Sequence, residues 1–247
     1  MLNEPTMTKL NEMKLFTMAS AWAEQQQTSD LAKVSFDERF GLLVDAEYIA
    51  RENRRLARLL REAKLRISNA CVEDVDTPAR RGLDKSVLRQ LATCKWVHDH
   101  RNVIVTGATG VGKTYVACAL AQQCCRKGLR VLYRRMPRLL DELALARADG
   151  TYPRLLTKLS RYDVLVLDDW GLAKLTDAAR HDILEVLEDR YDLRSTIVTS
   201  QLPVKHWHEY IEDPSLADAL LDRVVHNAYK LDLKGPSRRK EKAQTQT

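Results

Sequence analysis

From residue 101 onward, short apolar runs alternate with stretches whose apolar residues recur every three or four positions. "NVIVTG" reads as a strand, and "KTYVACALAQQCCRKG" as a helix that Gly128 can close. "RVLYR" is a strand, and "DVLVLDD" is a strand apolar on both faces. "AARHDILEVLEDRYDLR" has helical spacing, "TIVTS" is again a strand, and "AYKLDL" is the last one. Such alternation predicts a parallel sheet covered by helices, with the continuous run "VLVL" at a central position. Residues 1–66 contain no strand-like run. Leu10, Met13, Leu15 and Met18 form a short apolar segment, and a long amphipathic helix begins at Ser35, an N-cap with Glu38 three residues on. Residues 67–100 read as a connector: a loop "DTPARRG", then a helix "LDKSVLRQLATCKWV". The expected division is therefore a helical domain 1–66, a connector 67–100, an α/β domain 101–240, and a disordered tail 241–247.

Composition narrows the class. Of 247 residues, 45% are apolar, enough for a core, and no eighteen of them run together, so no spanning helix and no membrane partner is expected. The N-terminus lacks a long apolar run with a cleavage site. Five cysteines (Cys71, Cys94, Cys118, Cys124 and Cys125) show no metal-ligand spacing, which suits buried or free thiols in a reducing cytoplasm. The formal charge of +6 leans toward an acidic partner such as nucleic acid.

The chemistry lies in two motifs. Gly107, Ala108, Thr109, Gly110, Val111, Gly112, Lys113 and Thr114 spell "GATGVGKT", the phosphate-binding loop pattern, between a predicted strand and a predicted helix. The glycines let backbone N–H groups close around phosphate oxygens, and the helix N-terminus adds its positive end. Lys113 brings a charge to the β and γ phosphates, and Thr114 a hydroxyl for Mg²⁺. "VLVLDD" ends a strand with two carboxylates: Asp168 for the metal beside Thr114, and Asp169 free to polarise the attacking water. The strand "TIVTSQ" follows, bringing Ser200 or Gln201 between the two motif strands near the γ-phosphate. ATP and Mg²⁺ are the expected cofactors, and ATP hydrolysis the expected reaction.

Taken with "IVTSQLPVKHWHEYIEDPSLADALLDRVVHNAYKLDLKGPSRR" and the helical "SFDERFGLLVDAEYIARENRRLARLLREAKLR", these motifs make nearly the whole chain resemble the IstB family. These are transposition helper ATPases of insertion sequences, in the AAA+ clade that also holds the helicase loader DnaC. The resemblance implies a P-loop AAA+ core, and independently the fewer than fifty residues after "TIVTSQ" leave no room for a full helical lid along with the last strand, so a minimal or absent lid is expected. It implies an arginine finger at Arg223 that acts on a neighbouring subunit. It implies a sensor at Arg239, with Arg238 as the alternative, and a catalytic role for Gln201 beside Asp169. The implied partners are double-stranded DNA, a cognate transposase, and further copies of the chain in an ATP-dependent oligomer. A DnaC-like helicase loader is the other reading, and a nucleotide-switched scaffold with little turnover a third.

Seven of the nineteen residues in "YIARENRRLARLLREAKLR" are Arg or Lys. At 100° per residue, Arg51, Arg54, Arg55, Arg58 and Arg61 fall within an arc of about 120°, opposed nearby by Glu52 and Glu62 alone. Such a stripe suits a phosphate backbone, and without a base-reading motif its contact should be largely sequence-independent.

Overall fold

In the computed structural model, which describes residues 3–28, 34–76 and 82–238, the chain divides by contact after Arg58. The first unit is helical. α1 (Asn3–Glu12) and α2 (Phe16–Gln27) are separated by a turn in which Lys14 takes φ 59°. α3 (Phe36–Ala63) begins as expected. Ser35 N–H donates to Glu38 at 3.2 Å, and Glu38 N–H returns to Ser35 Oγ at 3.3 Å, satisfying two donors that the helix start would leave unpaired. It stops at Ala63, where Lys64 turns to φ 52°. Glu47 is buried and accepts from the N–H groups of Thr17 and Met18 at 2.9 and 3.0 Å, capping the start of α2.

The second unit is built on five strands, all parallel, in the order β2-β3-β4-β1-β5. They are β1 (Asn102–Gly107), β2 (Val131–Arg135), β3 (Val164–Trp170), β4 (Ser195–Ser200) and β5 (Ala228–Leu233). β1, β3 and β4 are central and buried along their lengths, as their near-continuous apolar runs require. Alternate residues serve opposite faces. Ile104, Leu132, Leu165, Leu167 and Val198 join one apolar cluster with α7 (Met136–Ala148), α8 (Tyr152–Ser160), α9 (Asp177–Glu188), α10 (Trp207–Ile211) and α11 (Pro214–Val225). Val103, Val105, Val166 and Ile197 hold the intervening positions, fully buried, and α6 (Lys113–Arg126) packs on β1, β3 and β4. α6 ends as its sequence foretold. Gly128 at φ 79° donates to Cys125 O at 2.9 Å, and Leu129 N–H reaches back to Cys124 O at 3.0 Å.

Three expectations change. The helix read over "LDKSVLRQLATCKWV" is two, α4 (Lys85–Ala92) and α5 (Lys95–His98), because Cys94 takes φ 60° and Trp96 turns back to donate its indole N–H to Leu91 O at 2.9 Å. The helix over "AARHDILEVLEDRYDLR" stops at Glu188. There Arg190 is buried instead, donating to the carbonyls of Leu159, Tyr162 and Ser195 at 2.8, 2.9 and 2.5 Å, and burial lowers its guanidinium to about 9. α7, α8, α10 and α11 occupy stretches to which the sequence alone had assigned no element. Arg239 and the tail 241–247 lie outside the described residues.

Candidate active site

The phosphate-binding loop forms the turn between β1 and α6. Gly107 has φ 141°, and a Cβ there would lie 2.3 Å from the carbonyl oxygen of Leu233. Gly110, at φ 86°, would drive a Cβ to 2.1 Å from Ser237 Oγ. The loop therefore tolerates no side chain at either position. Val111 is buried, fixing the loop from below. Lys113 Nζ donates to the carbonyls of Gly107 and Ala108 at 2.8 and 2.9 Å, so the ammonium is poised under the loop it opens.

Asp168, at the end of β3, is wholly buried. Thr114 Oγ1 donates to its two carboxylate oxygens at 3.0 and 3.1 Å, Tyr133 OH donates at 2.5 Å, and the hydroxyl of Thr199 donates as well. Burial foremost, and then the Asp168 carboxylate, push the Tyr133 phenol up, so it stays a donor. A hard, all-oxygen pair of hydroxyl and carboxylate beside a phosphate loop fits Mg²⁺, which takes one or two carboxylates and substrate phosphates. Among the described residues no cluster of three His, Cys, Asp or Glu side chains offers a dedicated metal cage.

Asp169, which the sequence suggested would stand free, is engaged. The β3–β4 register shifts between Leu167 and Trp170, and Asp169 takes φ 65° there. Its carboxylate is held by Arg135 at 2.8 Å, and Arg66 lies 3.6 Å from Asp168 and 3.7 Å from Asp169. Burial works against the charge on Arg66, but Tyr133 and the two carboxylates outweigh it and its guanidinium is raised. Neither arginine was visible as a site residue in sequence. Their only mark is position: Arg135 pairs in register with Asp168 across β2 and β3.

A cavity of about 510 Å³ gathers Thr109, Gly110, Gly112, Lys113 and Thr114 with Asp169 and Gln201. Arg66, Arg135 and Arg238 line it too. Gln201 accepts from the Thr109 hydroxyl at 2.6 Å, whereas Ser200 is buried and donates to Trp170 O at 2.8 Å, so of the two Gln201 faces the cavity. Arg238 N–H donates to Gly110 O at 3.0 Å and its guanidinium meets Asp76 at 2.9 Å, which brings the alternative sensor to the loop. Arg223 is not brought in. It pairs with Glu188, and its carbonyl accepts from Asn102 at 2.9 Å, at the end of β1 opposite the loop. The six residues of β1 separate the two ends by about 17 Å.

The arginine stripe of α3 contains a carboxylate that the helical projection overlooked. Glu47 lies on the same arc, one turn earlier, and takes Arg51 at 2.8 Å and Arg54 at 3.1 Å. Arg55 lies 3.7 Å from Glu52, and Arg58 and Arg61 are exposed.

Residues 8–246 match the family model described as IstB-like ATP binding protein. The chain belongs to this family. An insertion-sequence ATP-binding protein of Sinorhizobium fredii is 50% identical over 97% of this chain and 98% of its own length. One from Pseudomonas fluorescens is 48% identical over 82% of this chain and 88% of its own. Among solved structures, the DnaC helicase loader is 26% identical, covering 67% of this chain and 97% of that one, with a TM-score of 0.53. The fold of this IstB-like chain is accordingly that of a P-loop AAA+ ATPase, preceded by a helical region. No helix among the described residues is long and apolar enough to cross a membrane.

Proposed function

We propose that this chain is an ATPase that, with ATP bound, assembles on DNA and assists the transposase of an insertion sequence. The ATPase part follows from its family; the DNA and transposase part is supported by the insertion-sequence relatives. The observation that carries the chemistry is the meeting of Thr114 and Asp168 beneath the loop, with Thr114 in one cavity wall with Lys113 and Asp169 and the buried Asp168 behind it.

In this reading the loop N–H groups and the N-terminus of α6 bind the phosphates, and Lys113 neutralises the β and γ oxygens. Thr114 and Asp168 would hold Mg²⁺, which when bound offsets charge developing on those oxygens. Asp169 orients water and accepts its proton, once its pairing with Arg135 yields. Gln201 holds the γ-phosphate side of the cavity, and Arg238 takes the sensor role expected of Arg239. Arg223, at the far end of its own sheet, suits a finger offered to a neighbouring copy, and hydrolysis then requires assembly. The arginines Arg51, Arg54, Arg55, Arg58 and Arg61 are candidate phosphate contacts. Arg51 and Arg54 each keep donors beyond those given to Glu47, with about half of each side chain exposed (52% and 54%).

The test is strand transfer by the cognate transposase into duplex DNA. The parental chain with ATP should stimulate it, and Lys113→Ala, with ATP binding abolished in a nucleotide titration, should not. A second reading, a helicase loader, has the likeness to DnaC in its favour. Preference for single strands and capture of a hexameric helicase, with no effect on strand transfer, would establish that reading instead.

A further inference from the structure

β2 is an edge strand of the sheet, and a recess opens at each of its ends. At the C-terminal end, a cavity of about 520 Å³ is lined by five cations and one carboxylate, Glu142, with Lys64 and Arg138 exposed at its mouth. At the N-terminal end, a cavity of about 560 Å³ has four cations, among them Arg154, Lys158 and Arg161, and again one carboxylate, Glu62. Glu142 is already held by Arg134 at 3.1 Å. Among the described residues, Lys64, Arg138, Arg154, Lys158 and Arg161 make no ion pair.

We propose that the two recesses form one track along β2 that binds the phosphodiester backbone of DNA. This deepens, and rests on, the reading of the chain as a DNA-handling ATPase. Charge on an edge strand guards it against pairing with other strands, and Arg134 and Arg135 of β2 already supply it. Here the unpaired cations come from three other places: the turn after α3 (Lys64), α7 (Arg138), and α8 with the residue that follows it. Convergence from separate elements on one line suits an extended polyanion. The five residues of β2 span about 13 Å, which matches about four steps of 3.4 Å along the axis of one DNA strand. No ring stands ready for base stacking: Tyr133 is buried against Asp168, and the Tyr162 ring is covered by Arg130 at 5.5 Å. The contact is therefore to backbone and independent of sequence. Arg66 and Arg135 line both the C-terminal recess and the nucleotide cavity, so the track reaches the edge of the active site.

The experiment is duplex DNA binding by the full chain with ATP at several salt concentrations, comparing the parental protein with Lys64→Gln/Arg138→Gln and Arg154→Gln/Lys158→Gln. Neither pair touches the nucleotide site or the arginine stripe, and unchanged ATP affinity reports that the fold is intact. Each pair should weaken binding about tenfold on every sequence and flatten the slope of log affinity against log salt by about 2 per chain engaged. Parental affinity and slope in both double variants, with the parental chain binding DNA, overturn the track and leave the function standing. Absence of salt-dependent binding by the parental chain overturns both.

Discussion

Glu47 in the N-terminal unit and Asp168 in the ATPase unit are both buried carboxylates approached by arginine, and their other partners differ in kind. Glu47 accepts from two backbone N–H groups at the start of α2, and from Arg51 and Arg54. Asp168 accepts from three hydroxyls, those of Thr114, Tyr133 and Thr199, with Arg66 at 3.6 Å. A helix-starting N–H cannot turn elsewhere without loss of the cap. A hydroxyl rotates, and is acceptor as readily as donor, so a carboxylate held by hydroxyls can turn to a cation while they re-aim. Glu47 is thus a fixed joint between helices, whereas Asp168 can exchange partners, as its proposed part in holding Mg²⁺ requires. Burial alone would raise the Glu47 carboxyl, but Arg51 and the N–H groups of Met18 and Thr17 outweigh it and hold it below its usual 4.5.

The largest expected effect tests an ion pair of a third kind, Arg223 with Glu188, which in the proposed assembly exchanges its partner for a phosphate on another chain. Arg223→Ala should bind ATP normally and lose hydrolysis by about a thousandfold or more. Mixing it with Asp169→Asn, which should bind ATP but lack the carboxylate proposed to activate water, should restore part of the rate. Full activity of Arg223→Ala alone removes the role in trans.

Next comes the exchangeable carboxylate. Asp168→Asn should erase the Mg²⁺ enhancement of ATP affinity and cut turnover by about a thousandfold, while the melting temperature moves little. A collapse of stability with unaltered Mg²⁺ dependence would make Asp168 a structural joint like Glu47, and the contrast would fail.

The smallest effect belongs to the fixed joint. Glu47→Gln should destabilise the N-terminal unit by about 1–2 kcal/mol, read by denaturant unfolding, with ATP affinity unchanged. The pH dependence has a definite sign. With its folded pKa depressed, Glu47 contributes stability that is complete above its ordinary value near 4.5 and lost as pH falls through the lower folded value. The variant should lack that acid step. Equal acid sensitivity in parental and variant chains would mean that Glu47 is not held as described.

What the sequence determined by itself are the features whose partners are close along the chain. Ser35 caps with Glu38 three residues away, Gly128 ends α6 through bonds to residues three to five back, and "GATGVGKT" folds as one turn. In each, local backbone geometry is set by a few residues, so pattern suffices. The strands of the sheet were also legible, because a buried parallel strand has to be apolar along its length. Tertiary structure alone decided the rest. It broke the connector helix at Cys94, buried Arg190 where the pattern continued a helix, and turned Glu47 into the arginine stripe. It also brought Arg66, Tyr133, Arg135 and Thr199 to two adjacent carboxylates from segments 31 to 103 residues away. No local pattern marks such residues, because an arginine or tyrosine at a strand end or in a connector reads the same whether it meets solvent or a carboxylate. Which of these it meets depends on the order β2-β3-β4-β1-β5, where β2 and β4 flank β3 and carry Tyr133, Arg135 and Thr199 to its acidic end.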